Sequence, residues 1–174
     1  MKKIIAPILA AFVIVVGLFM MKNKVNDTQT LQSNPKNSAI EQTFAIIKPD
    51  AVQAKDSGKI IDLIESHDFD IERMQKLTLT KEQAEQFYSV HKERPFYNDL
   101  VAFMTSGPVV VMVLKKENAV KGWRNLMGDT NPEKAAEGTI RKLFGTDIQR
   151  NASHGSDSVE NAKLEIKQFF PELV

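Results

Sequence analysis

The pattern of apolar and polar positions divides the 174-residue chain into three stretches. Residues 4–21 run IIAPILAAFVIVVGLFMM without a charge. As a helix they would span about 27 Å, close to the thickness of a bilayer core. Residues 22–42 are rich in Asn, Gln, Thr and Ser, contain Pro35 and lack helical periodicity. That is the composition of a flexible tether. From Thr43 the pattern becomes that of a folded domain, residues 43–174.

Two runs in the domain are apolar on both faces. Residues 43–47, TFAII, read as a central strand stopped at Lys48-Pro49, and residues 108–114, PVVVMVL, as the clearest buried strand. Ile60, Ile61 and Ile64 share one face of a helix predicted over residues 57–67. Phe69, Ile71 and Arg73 alternate, and Leu77 and Leu79 alternate after a phase change, which predicts a bulge or kink near residues 73–76. Thr80-Lys81-Glu82-Gln83 is a capping box, opening a helix with Ala84, Phe87, Tyr88 and His91 inward. Phe96, Leu100 and Phe103 follow Pro95 at helical spacing. Asn118 opens a helix carrying Ala119, Val120, Trp123 and Met127, with Arg124 off the apolar stripe and a turn cluster at residues 128–132. A short helical piece over residues 139–144 carries Arg141. Residues 151–155 read as loop or a very short strand, and Ser156, Asp157 and Ser158 are N-cap candidates for a last helix with Val159, Ala162, Ile166 and Phe169 inward. The order predicts an α/β (α+β) domain, βαββαβ, with strand 109–114 near the first strand and helices over one sheet face.

Composition narrows the function classes. Hydrophobic residues make up 43% and charged residues 26%, an ordinary globular balance. A net charge of +1 gives no field that favours nucleic acid. An RNA-binding sheet would need exposed aromatics on a central strand, and residues 109–114 have none. With no cysteine, disulfides and thiolate chemistry are excluded. Neither glycine-rich phosphate loop, G-x-x-x-x-G-K-[ST] or G-x-G-x-x-G, occurs, so phosphate binding would rest on side chains.

The candidate chemistry gathers near the C-terminus. His154 precedes a helix, where backbone N–H groups and the dipole favour anions. Gly155 permits a tight turn and the approach of a ligand. Ser156 can hydrogen-bond the imidazole or its own backbone. Glu165 shares the inward stripe with Ala162 and Phe169, where a carboxylate can fix the histidine's tautomer and raise its nucleophilicity. Lys48, closing a buried strand, is placed to meet a phosphate as a point charge. Taken singly, each has an ordinary structural or solvated alternative.

Together they do not read as ordinary. The string Asn151-Ala152-Ser153-His154-Gly155-Ser156-Asp157-Ser158 resembles the active-site signature Asn-x-x-His-Gly-Ser-Asp-Ser of nucleoside diphosphate kinases, and meets every specified position. Ile47-Lys48-Pro49-Asp50 resembles the end of that family's opening strand. The resemblance runs from about Thr43 to the end of the chain. It implies a ferredoxin-like antiparallel sheet with added helices. It also implies ping-pong transfer of the γ-phosphate of a triphosphate, typically ATP, to nucleoside diphosphates through a phosphohistidine at His154, which maintains the non-ATP pools. Lys48, Arg124, Thr130, Arg141 and Asn151 match the nucleotide ligands, and Phe96 the base-stacking residue, with Leu100 nearby. Glu165, Ser156, Tyr88 and His91 match supporting positions. The resemblance further implies Mg²⁺ bound mainly through the phosphates, a homo-tetramer or homo-hexamer, and no nucleic-acid partner. A noncatalytic nucleotide-binding scaffold on the same fold is the alternative, and the presence of every matched residue weighs against it.

The resemblance does not reach the N-terminus. Lys2 and Lys3 precede the apolar run, Lys22 and Lys24 follow it, and no small-residue cleavage site succeeds Met21. The reading favours a retained membrane anchor over a cleaved signal peptide that would export the domain. A buried helix, or a start at Met20 or Met21 giving a cytoplasmic enzyme, are the other readings. Lysines on both flanks leave the side of the membrane open.

Overall fold

The computed structural model describes residues 39–174. The anchor expected at residues 1–21 and nearly all of the tether expected at residues 22–42 lie outside the described residues. Among the described residues no helix is long and apolar enough to cross a membrane.

Four strands form one antiparallel sheet: β1 (Ile40–Ile47), β2 (Asp70–Thr78), β3 (Pro108–Glu117) and β4 (Ser153–Gly155), in the order β2-β3-β1-β4. Helices α1 (Pro49–Gln53) and α2 (Ser57–Ser66) join β1 to β2, while α3 (Lys81–Phe87) and α4 (Tyr97–Met104) are inserted between β2 and β3. Helices α5 (Ala119–Met127) and α6 (Ile140–Phe144) lead to β4, and α7 (Val159–Phe169) follows it. The arrangement is consistent with a ferredoxin-like α/β fold.

Helices cover both faces of the sheet, not one. Successive residues of a strand point to opposite faces, and Phe44 to Ile47 and Val109 to Leu114 are all buried. Ala45, Ile47, Met112 and Leu114 pack with Ile60 and Ile64 of α2 and Trp123 and Met127 of α5. Phe44, Ile46, Val111 and Val113 pack on the other side with Ala84 of α3, Met104 of α4 and Ile166 of α7. Burial on both faces is therefore what leaves these two runs without alternation.

Three details depart from the pattern reading. Strand β1 begins at Ile40, because residues 40–42 continue the ladder opposite Glu117, Lys116 and Lys115 although their side chains are not buried. The irregularity in β2 falls between Ile71 and Arg73, ahead of the expected place. This is an edge strand whose side chains are mostly exposed, so its apolar alternation marks register weakly. On α4 the buried positions are Val101 and Met104, while Phe96 precedes the helix and is 50% exposed. The capping box of α3 forms: Thr80 Oγ1 accepts from the Gln83 amide at 3.2 Å, and Gln83 Oε1 accepts from the Thr80 amide at 3.0 Å.

Candidate active site

The site is built where the first strand of the sheet meets the last. β1 ends at Lys48, whose amide donates to the carbonyl of Ala152 at 2.9 Å. Two residues on, in the first turn of α1, Asp50 Oδ2 accepts from the amide of Ala152 at 3.0 Å. The Lys48-Pro49-Asp50 turn thus holds both polar groups of Ala152, which has a left-handed φ of 65°. β4 then runs antiparallel to β1, with His154 opposite Ile46.

The backbone of β4 is fixed from below by α5. Trp123 Nε1 donates to the His154 carbonyl at 3.0 Å. A Cβ at Gly155 would overlap the Trp123 indole and the Met127 methyl. Gly155 is therefore required by packing against the indole, and it also lines the cavity around His154.

The His154 ring is held at one nitrogen. Nε2 lies 3.3 Å from each carboxylate oxygen of Glu165 on α7. Ser156 Oγ donates to Glu165 Oε2 at 2.6 Å and receives the Phe44 amide at 3.1 Å. Ser156 therefore bonds neither the imidazole nor its own backbone; it orients the carboxylate that meets the imidazole. Phe87 presents a tilted edge to the ring, centroids 5.0 Å apart. Nδ1 has no hydrogen-bond partner among the described residues.

His154 and Glu165 line a cavity of about 1550 Å³. Lys48, Arg124, Thr130, Arg141 and Asn151 line it too, as do Tyr88, His91 and Phe96. Of the residues singled out in the sequence, Ser156 alone is not in the wall; it is fully buried behind Glu165. Leu100 and Ile148, with Phe96, give the cavity apolar surface. Ile148, 61% exposed, was missed by pattern reading, and its only signal is an isolated apolar residue in a polar loop. Asp50 and the hydrogen-bonding role of Trp123 were missed as well: periodicity marks Trp123 as core and says nothing of its N–H.

The positive charges are pre-placed and costly to hold. Lys48 Nζ donates to Asn151 Oδ1 at 2.6 Å, and Asn151 Nδ2 donates to the Thr130 carbonyl at 3.0 Å. Burial, then the neighbouring Arg141 guanidinium, pushes the Lys48 ammonium down from 10.5 to about 8. Arg141 donates to the carbonyls of Gly128 at 2.9 Å and Ser153 at 3.2 Å. Burial and then Arg124 push it down to about 10, and its Nε is buried without a partner. The Tyr88 hydroxyl is likewise buried and unpartnered, and burial followed by the Glu165 charge raises its pKa. Cations crowded together and polar hydrogens left unpaired describe a receptor for an anion with several oxygens. The cap on α7, where Ser158 Oγ accepts from Asn161 N at 3.1 Å, already uses one of that helix's first-turn amides. Side chains, more than a helix terminus, therefore supply the positive potential. Among the described residues no group of three His, Cys, Asp or Glu side chains could hold a metal ion.

The geometry agrees with what the chain is similar to. A family model described as nucleoside diphosphate kinase matches residues 41–173. The nucleoside diphosphate kinase of Geotalea uraniireducens is 58% identical over 134 residues, 77% of this chain and 98% of the relative. That of Azorhizobium caulinodans is also 58% identical over 134 residues, 77% of this chain and 96% of the relative. The crystal structure of the Aquifex aeolicus enzyme superimposes with a TM-score of 0.76 at 46% identity, covering 78% of this chain and 98% of that one. The Halobacterium salinarum enzyme in complex with CDP gives a TM-score of 0.73 at 37% identity, covering 76% and 88%. Identity of this order across nearly the full length of the relatives shows that the chain belongs to the nucleoside diphosphate kinase family.

Proposed function

We propose that this protein transfers the γ-phosphate of a nucleoside triphosphate, typically ATP, to nucleoside diphosphates by way of a phosphohistidine at His154. The observation that carries the reading is the division of labour on the imidazole. Nε2 faces Glu165, which fixes the proton there and leaves Nδ1 without a partner among the described residues, on a ring that shares its cavity with Lys48, Arg124 and Arg141. A triphosphate enters with its base on Phe96, where stacking is indifferent to base identity, and its phosphates toward Lys48, Arg124 and Arg141. Thr130 and Asn151 complete the polar wall, with Tyr88 and His91 beside it. Nδ1 attacks the γ-phosphorus: an N–P bond forms, the bridging P–O bond to the β-phosphate breaks, and the diphosphate departs with that electron pair. The cations stabilise the equatorial oxygens and the leaving group. A second diphosphate then attacks the phosphohistidine through its terminal oxygen, which breaks the N–P bond and frees His154.

The cavity suits a substrate that brings its own Mg²⁺. Lys48, Arg124, Arg141 and Lys167 line it together with Glu133, Asp147, Asp157 and Glu165, yet among the described residues no three carboxylates or histidines gather as a metal cage, so the ion would be carried by phosphate oxygens and water. When present it supplies further charge neutralisation on the phosphates.

The test is a pulse of γ-labelled ATP followed by a chase. Wild-type protein should take up acid-labile, base-stable label and surrender it to added nucleoside diphosphate. His154→Ala, a change on a side chain that is only partly buried, should fold and take up none. Label retained by that variant would move the nucleophile elsewhere.

A further inference from the structure

We propose that Asp50 is a positioning residue for this phosphotransfer: its carboxylate holds Ala152 in the left-handed conformation that brings Lys48 and His154 to one cavity. The proposal rests on the phosphohistidine reading and adds a residue to it. Asp50 does not line the cavity, so it touches no ligand.

Ala152 has a φ of 65°, a region that favours glycine and disfavours any residue with a Cβ. Its side chain is fully buried, in the core cluster that also holds Trp123 and Ile140. An alanine at such an angle persists only where its surroundings hold it. The Ser153 amide closes a tight turn across it onto the Asn151 carbonyl at 2.7 Å, and two further bonds, both from the Lys48–Asp50 turn, grip Ala152 itself. The Lys48 amide takes the Ala152 carbonyl at 2.9 Å, and Asp50 Oδ2 takes the Ala152 amide at 3.0 Å. The bend lies between Asn151, which holds the Lys48 ammonium at 2.6 Å, and Ser153, which precedes the nucleophile. If Ala152 relaxed to an ordinary φ, the chain on either side would rotate, and both groups would leave their shared orientation.

Asp50 also acts on Lys48 through space. Its charge favours the ammonium form, as does Asp147, while burial and Arg141 oppose it. The other Asp50 oxygen, Oδ1, is buried without a partner. A carboxylate placed only to favour the first turn of α1 would explain neither the bond to a residue 102 positions away nor the strained angle it meets there.

The experiment compares Asp50→Ala, Asp50→Asn and the double variant Asp50→Ala/Ala152→Gly in the full chain. Rapid-quench labelling with γ-labelled ATP gives the rate of histidine phosphorylation, and ADP titration gives nucleotide affinity. Asp50→Ala should slow phosphorylation by about tenfold or more, with a much smaller change in ADP affinity, because misplacement of the nucleophile falls on the chemical step. Asp50→Asn keeps an oxygen acceptor for the Ala152 amide and should stay within about threefold of wild type at pH 7. Glycine adopts the left-handed angle without a Cβ penalty, so the double variant should recover most of the lost rate. If Asp50→Ala alone does not fold, the double variant should restore both fold and labelling. Labelling at the wild-type rate in Asp50→Ala, or no recovery in the double variant, would overturn the proposal. Wild-type protein that takes up no label would instead remove the phosphohistidine reading itself.

Discussion

A histidine carries a phosphoryl group well only if one ring nitrogen is occupied and the other is not, and Glu165 performs that occupation at His154. Because Glu165 acts on His154 through Nε2, Glu165→Ala should lower kcat by more than it weakens ADP binding. A variant whose only defect is a raised nucleotide Kd would assign Glu165 to the substrate instead. Lys48 sets the pH response. Its ammonium is held down to about 8 in the free protein, against 10.5 ordinarily. Polyphosphate beside it favours the charged form and raises that value again. Binding above pH 8 must therefore draw in a proton, and affinity should fall as pH climbs beyond it. Calorimetric titration of ADP at pH 8.5 in buffers of different ionisation enthalpy should register the uptake, and no buffer dependence would refute it. These residues were legible because the signature string and the lysine at a strand's end are local in sequence. Asp50 was not, because its partner stands 102 positions away and nothing local marks the pair.

At the level of elements, the site is a short strand seated on a helix. β4 has three residues, too few to hold itself, and relies on β1 at its side and Trp123 beneath. A methyl group at Gly155 would force the indole and Met127 aside. Gly155→Ala should cost about 1–3 kcal/mol, the usual penalty of overpacking, and disturb the nucleophile as well. Urea unfolding followed by a phosphorylation assay checks both parts; an unchanged midpoint would mean the indole yields without strain. Legibility at this scale followed burial. β3 declared itself because its run from Val109 to Leu114 is buried without a break, and α3 because its capping box is a local bond pattern. The bulge in β2 did not, because exposed side chains on an edge strand leave no periodic record of register. The sequence reading puts helices over one sheet face although both central runs are apolar on both, and which helices cover the second face depends on contacts far apart in the chain.

For the whole molecule, every proposed ligand contact lies at or after Lys48, and the described fold begins at Ile40. Deleting residues 1–37 should therefore give a soluble enzyme with kcat close to that of the full chain. The full chain, if residues 4–21 serve as an anchor, should pellet with membranes and resist high salt, since apolar insertion is not screened as charge pairing is. A truncated protein that misfolds would show that the leading segment belongs to the folded unit. The pairing of β1 with β4 has a consequence in time. The lysine arrives early in synthesis and the histidine about a hundred residues later, joined by hydrogen bonds such as Phe44 to Ser156 across 112 positions. Contacts of such long sequence separation close late, after local helices and neighbouring strands have formed. A nascent or truncated chain lacking its last strand can own most of the sheet and Lys48, Arg124 and Arg141 yet lack His154, the proposed nucleophile. Catalytic competence therefore switches on with the final closure of the chain, so activity regained on refolding reports completion of the fold rather than its average progress.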